Sequence, residues 1–159
     1  MELTLVLPPL TQLNTPYPST GYLARYLRQE GIECGLRDFG IELILKLFSK
    51  QGLKAVFDHL ETMETLPEPA WRFLALRKEH EMVIEPVIRF LQGKDRTLAR
   101  RILETPFLPG GPRLEQATLD GFGPSTIDDA AKYLATLYFE DIADLVSACI
   151  DEGFSLTSY

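Results

Sequence analysis

The segment PPLTQLNTPYPST, residues 8–20, gathers Thr11, Gln12, Asn14, Thr15, Tyr17, Ser19 and Thr20 in a span stiffened by Pro16 and Pro18. Hydroxyl and carboxamide side chains donate and accept hydrogen bonds without bringing charge. Such a set suits recognition of a large, amide-bearing ligand better than of a polyphosphate. A phosphate cradle needs the glycines of G-x-G-x-x-G or G-x-x-x-x-G-K-S/T, which let backbone amides close around the anion, and neither pattern occurs here. Without further context the segment reads equally as a rigid, proline-rich connection.

The other chemistry-bearing residues have structural readings. Asp38 could grip a ribose, but without the glycines it reads as a cap for the helix that follows. His80-Glu81 opens as H-E-x-x-H would, yet Ile84 stands where the second histidine belongs, so His80 is expected on a solvated helix face. His59, beside Asp58, is expected at the surface. Asp128-Asp129 at a helix start complement the helix dipole. Trp71 and Phe73 read as core or interface anchors. Cys34 and Cys149 are too few for a disulfide framework or a metal knuckle and read as buried apolar side chains. No nucleophile has an adjacent base.

These residues need elements to hold them. Glu2 to Leu7 is a short apolar run ended by Pro8-Pro9, as expected of a strand covered on both faces in a parallel sheet. Ser19 is expected to cap a helix with Tyr22, Leu23, Tyr26 and Leu27 on one face, stopped by Gly31. Ile32 to Phe39 supplies a second strand, and the intervening helix implies a parallel crossover; another helix runs from Ile41 to about Lys50. Ligands of open α/β sheets lie beyond the carboxyl ends of the strands, which puts residues 8–20 and the turn at Asp38 on the binding edge.

Beyond that point the periodicity is helical. Leu53, Val56, Phe57 and Leu60 form one stripe; a second runs from Phe73 through Leu76 to Phe90, with Pro86 kinking or restarting its helix. Asp95 opens a shorter helix through Leu103, and 106–112 with Gly110-Gly111 is a loop. Ser125 and Asp128 resemble a capping box for a last helix that Gly153 terminates, its stripe of Ile127, Ala131, Leu134, Tyr138, Ile142, Leu145 and Cys149 facing a core.

Composition excludes several classes. With 23 acidic against 16 basic residues in 159, there is no general field for nucleic acid, and no Lys/Arg run supplies a local one. Apolar runs such as Ile41 to Phe48 fall well short of the ~20 residues that span a bilayer. No membrane partner is expected, and, with no signal-like N-terminal segment, a cytoplasmic chain is expected.

The opening strand followed by PPLTQLNTPYPSTGYLARYLRQEG, then IECGLRDFGIELILKLFS and the late IDDAAKYLATLYFEDIADLV, resembles the N-terminal cobalamin-binding, Rossmann-like domains of radical SAM proteins. The resemblance covers most of the chain. In that family such a domain precedes a barrel whose C-x-x-x-C-x-x-C motif holds the 4Fe-4S cluster that cleaves S-adenosylmethionine. The two distant cysteines make no such motif, so S-adenosylmethionine and the cluster belong to an absent remainder of the parent protein. The D-x-H-x-x-G loop that supplies a lower axial histidine in many corrinoid proteins is missing too.

The expectation is therefore an α/β chain: an incomplete Rossmann-like parallel sheet at the N-terminus in residues 1–50, with a helix-rich remainder in 51–159, together a single domain or domain fragment within 1–159. The resemblance implies the cofactor-binding part of a cobalamin-dependent radical SAM enzyme, noncatalytic by itself. Thr11, Gln12, Asn14, Thr15, Tyr17, Ser19 and Thr20 would face the cobalamin, and the barrel of the same parent chain would be the partner. The alternative is a noncatalytic helical interaction domain with an empty ancestral cofactor site. An open sheet edge with too little cover also suggests a homo-oligomer.

Overall fold

The computed structural model describes residues 3–9, 17–121 and 127–156. They fall into two compact units, residues 1–47 and 48–158. The first is a strand-helix-strand-helix unit: β1 (Leu3–Leu7), α1 (Pro18–Gln29), β2 (Cys34–Asp38) and α2 (Phe39–Leu47). The strands pair in parallel, from Leu3 opposite Cys34 to Leu7 opposite Asp38.

Cover for this sheet differs from expectation. β1 alternates half-buried and exposed residues instead of being enclosed, and Val6 and Leu36 are 40% and 48% exposed. Two strands and two helices enclose little: Ala24, Cys34 and Gly40 are buried, while Ile41, Leu43 and Leu45 of α2 face outward.

The α1 face expected to pack is also corrected. Ala24 is buried and Thr20 and Leu27 are half-buried, while Tyr22 and Tyr26 are 73% and 58% exposed and Leu23 is exposed. At 100° per residue, Thr20, Ala24 and Leu27 make one stripe, and the small Ala24 lets the backbone approach the strand. The Cys34 thiol accordingly donates to the Ala24 carbonyl at 3.6 Å, and Arg28 donates to the Cys34 carbonyl at 3.0 Å.

Several boundaries move for identifiable reasons. α1 starts at Pro18, whose missing N–H costs nothing at a first helical position, so Tyr17 and not Ser19 precedes it. Gly31 does stop the helix: at φ +76° it lets Gly31 and Ile32 donate back to Arg28 and Leu27. Asp38 caps α2 as expected, accepting the Ile41 amide at 3.0 Å. The expected run to Lys50 ends at Leu47, because Ser49 takes extended backbone angles and caps the next helix through the Gly52 amide at 3.0 Å.

The second unit is helical: α3 (Lys50–Leu60), α4 (Glu68–Ala75), α5 (Arg77–Leu91), α6 (Leu98–Glu104), α7 (Pro112–Glu115) and α8 (Ile127–Cys149). Leu53, Val56, Phe57 and Leu60 are buried as their spacing requires. The stripe from Phe73 to Phe90 is split at Leu76, and Pro86 lies inside α5 without restarting it. Proline there removes the N–H that would reach Met82, and that turn faces solvent, Met82 being 65% exposed. Gly93, at φ +72°, ends α5 with the same pair of back-donated amides as Gly31.

α6 begins at Leu98 rather than Asp95, whose carboxylate instead holds the Thr97 amide and hydroxyl at 3.1 and 2.7 Å. α7 is a helical turn beyond the expected loop, again with proline at its start. Ser125 lies outside the described residues. Gly153 does not cap α8: the helix closes at Cys149 with Ile150 and Asp151 both donating to Val146, and Gly153 bonds the Asp151 side chain.

α8 is the axis of this unit, touched by α4, α5, α6 and α7. Ala131, Tyr138, Ile142, Leu145 and Cys149 of the expected stripe are buried, Leu134 is half-buried, and Ile127 at the helix start is exposed. Phe139 and Val146 are buried as well, and Phe139 stacks on Phe48 with ring centroids 4.4 Å apart. Of the two expected core or interface anchors, Phe73 is buried and Trp71 is exposed, so Trp71 is not a core residue of this unit. Among the described residues no helix is long and apolar enough to cross a membrane.

Two outcomes follow from these packing facts. Gly93→Ala should destabilise the chain by about 1 kcal/mol, measured by denaturant unfolding, because alanine is strained at positive φ. Light scattering should show mass rising with concentration, since the first unit leaves Val6, Leu36, Ile41, Leu43 and Leu45 exposed beside a two-stranded sheet; a stable monomer at all concentrations would contradict this.

Candidate functional site

Both strands of the first unit end together, with Leu7 opposite Asp38, and the segment bearing the candidate residues starts from this edge. Thr11, Gln12, Asn14 and Thr15 lie outside the described residues. Tyr17, Ser19 and Thr20 stand together at the start of α1. Tyr17 has extended backbone and an exposed side chain, Ser19 is exposed, and half-buried Thr20 donates through Oγ1 to the Tyr17 carbonyl at 3.2 Å.

The Tyr17 side chain makes no capping bond to this end of α1, and no acid lies in its first turn. The positive end of the helix dipole is therefore not neutralised by the helix's own residues. Asp38, across the edge, spends its carboxylate on α2. Arg37 pairs with Glu42 and lies 4.9 Å over the Phe39 ring; this pairing holds the Glu42 carboxyl below its usual range. The described part of the edge thus offers neutral donors and acceptors, suited to hydrogen bonding and positioning. Among the described residues, no group of three or more His, Cys, Asp or Glu converges as a metal site.

The second unit encloses two polar residues, one of which the sequence placed at the surface and the other of which it passed over. His80, expected at the surface, is fully buried. Its ring stacks against Phe73 and Tyr138 at 4.9 and 5.6 Å, Nδ1 meets the Tyr138 hydroxyl at 3.2 Å, and Nε2 has no partner among the described residues. Burial lowers its pKa to about 4 and raises that of Tyr138. A signal was present: His80 sits three and four residues before Val83 and Ile84, on the apolar face of α5. His59 is exposed, as expected.

The other is Asp141, 2% exposed. It accepts the amides of Arg113 and Leu114 at 2.8 and 3.1 Å, holding the start of α7 against α8. A Cβ on Gly111 would lie 2.4 Å from this carboxylate, so the approach requires glycine. Arg113 adds a bidentate bond to Asp144 at 2.6 and 3.1 Å. Burial raises the Asp141 carboxyl. Its position between Tyr138 and Ile142 on the α8 stripe marked it as an acid on an apolar face.

No protein-family model matches the chain, and neither does any curated protein sequence or solved structure.

The buried imidazole sets a pH dependence. Unfolded, His80 takes up a proton near its ordinary value of 6.5; folded, only near about 4. Its contribution is therefore complete above 6.5 and is lost as pH falls from 6.5 towards 4, by roughly 3 kcal/mol. Denaturant midpoints across that range should show this slope, and His80→Phe should flatten it; an equal slope in the variant would assign the effect to carboxylates.

Proposed function

We propose that the chain is the cofactor-binding N-terminal part of a cobalamin-dependent radical SAM enzyme, and that its first unit is part of a Rossmann-like sheet completed elsewhere in the parent protein. The observation that carries this reading is the parallel pair β1–β2, whose carboxyl ends meet where the neutral hydrogen-bonding segment begins. In sheets of this architecture that edge is where ligands bind. The exposed Val6, Leu36, Ile41 and Leu45 match a sheet that further strands and helices cover.

The described residues fit a corrinoid. Tyr17, Ser19 and Thr20 would meet its amide side chains at the start of α1, with Thr11, Gln12, Asn14 and Thr15 completing the rim. Bound cobalamin would supply a cobalt centre for methyl transfer or another radical reaction. This chain's part is to hold and orient it. Neither histidine belongs to residues 1–47, and His80 is enclosed by aromatic rings, so cobalt is not held by a histidine of this unit. The catalytic barrel, with its cluster and S-adenosylmethionine, would be a separate domain of the parent protein.

One observation favours a second reading, a noncatalytic interaction domain. Tyr22 and Tyr26 of α1 are 73% and 58% exposed, off the Ala24 face that packs on the sheet. The readings separate at the reading frame after Tyr159, which encodes a C-x-x-x-C-x-x-C motif under the first.

In the full-length protein, replacing Asn14, Tyr17 and Ser19 together by alanine should lower corrinoid retention, read from the visible spectrum after mixing with hydroxocobalamin and desalting, with circular dichroism unchanged. Undiminished retention would reduce residues 8–20 to a connection. The isolated chain should bind weakly or undetectably.

A further inference from the structure

A cavity of about 180 Å³ lies between α4 and α8 in the second unit, with Pro112 at one side. Most of its wall is apolar: Pro67, Ala70 and Phe73 from the α4 side, Leu145 and Cys149 from α8. Two acids break the pattern: Asp144, exposed and bonded by Arg113, and Asp141, a carboxylate almost wholly removed from solvent. Its oxygens accept two backbone amides, and no cation bonds to it among the described residues.

The neighbouring guanidiniums are committed elsewhere, Arg113 to Asp144 and Glu140, and Arg72 to Glu115. Neither guanidinium therefore bonds the Asp141 carboxylate, whose hydrogen-bond donors among the described residues are backbone amides. A buried carboxylate is costly unless its charge is compensated, and each of its oxygens can accept a second hydrogen bond. This carboxylate calls for a positive charge, while the apolar walls call for hydrocarbon. Size sets the scale, since an apolar cavity of roughly 150 Å³ takes up benzene.

We propose that this cavity binds a small primary ammonium carrying a short apolar body, with the ammonium at Asp141 and the hydrocarbon against Phe73 and Leu145. The site is independent of the sheet edge and does not rest on the cobalamin reading. α4 and α8 supply the apolar walls, and the contact of Gly111 with Asp141 keeps α7 close enough to bound the charged end.

The test titrates the whole chain with benzylammonium, benzyl alcohol and ethylammonium, followed by calorimetry and thermal unfolding. Benzylammonium should bind saturably, raise Tm, and bind about tenfold more tightly than benzyl alcohol, as a charge-assisted hydrogen bond requires. Ethylammonium, lacking the ring, should bind more weakly. Ala148→Phe, at an exposed position on the cavity wall, should abolish uptake with an unchanged circular dichroism spectrum. In Asp141→Asn, if folded, the preference for the ammonium should disappear. Absence of saturable binding, equal affinity for benzyl alcohol, or undiminished uptake by Ala148→Phe would each overturn the assignment.

Discussion

A helix buried around most of its circumference must be enclosed by others, and α8 imposes that requirement on the whole second unit. Between Ala130 and Cys149 its apolar residues are too widely distributed around the axis for one neighbour to cover. α4, α5, α6 and α7 all meet it. Enclosing Tyr138 and Asp141 forces their polar atoms to find partners inside, one on α5 and the other at the start of α7. The helix that forms the core thus also fixes the placement of the short α7.

The first unit obeys the opposite condition. A parallel pair of strands offers two faces to bury, and two helices, α1 meeting the sheet through Ala24 against Cys34 of β2, leave Val6 and Leu36 exposed. Hydrogen bonding is nevertheless complete in the local sense: the strands pair in register, Asp38 caps α2, and Gly31 closes α1. The unit is thus locally ordered without being enclosed.

The legible features were those fixed by short-range physics. Val56 and Phe57 were readable from spacing, Asp38 as a cap from its place before a helix, and Gly31 as a stop from its freedom at positive φ. Misread features depended on the partner surface. The Tyr22 and Tyr26 stripe is as periodic as the true packing face, and only the approach of Cys34 to Ala24 decides between them. His80 looked like a surface residue because its type is usually exposed, although its companions on α5 are buried. The candidate ligand rim was legible as chemistry; of its members, Tyr17, Ser19 and Thr20 have a described place, at the start of α1.

The contact between Gly111 and the Asp141 carboxylate ties two positions thirty residues apart into one unit of sequence change. Any side chain at 111 displaces the acid, so a change at one position is felt at the other. The two are therefore not independent: the effects of single replacements should not add, and only a paired replacement could restore the fit.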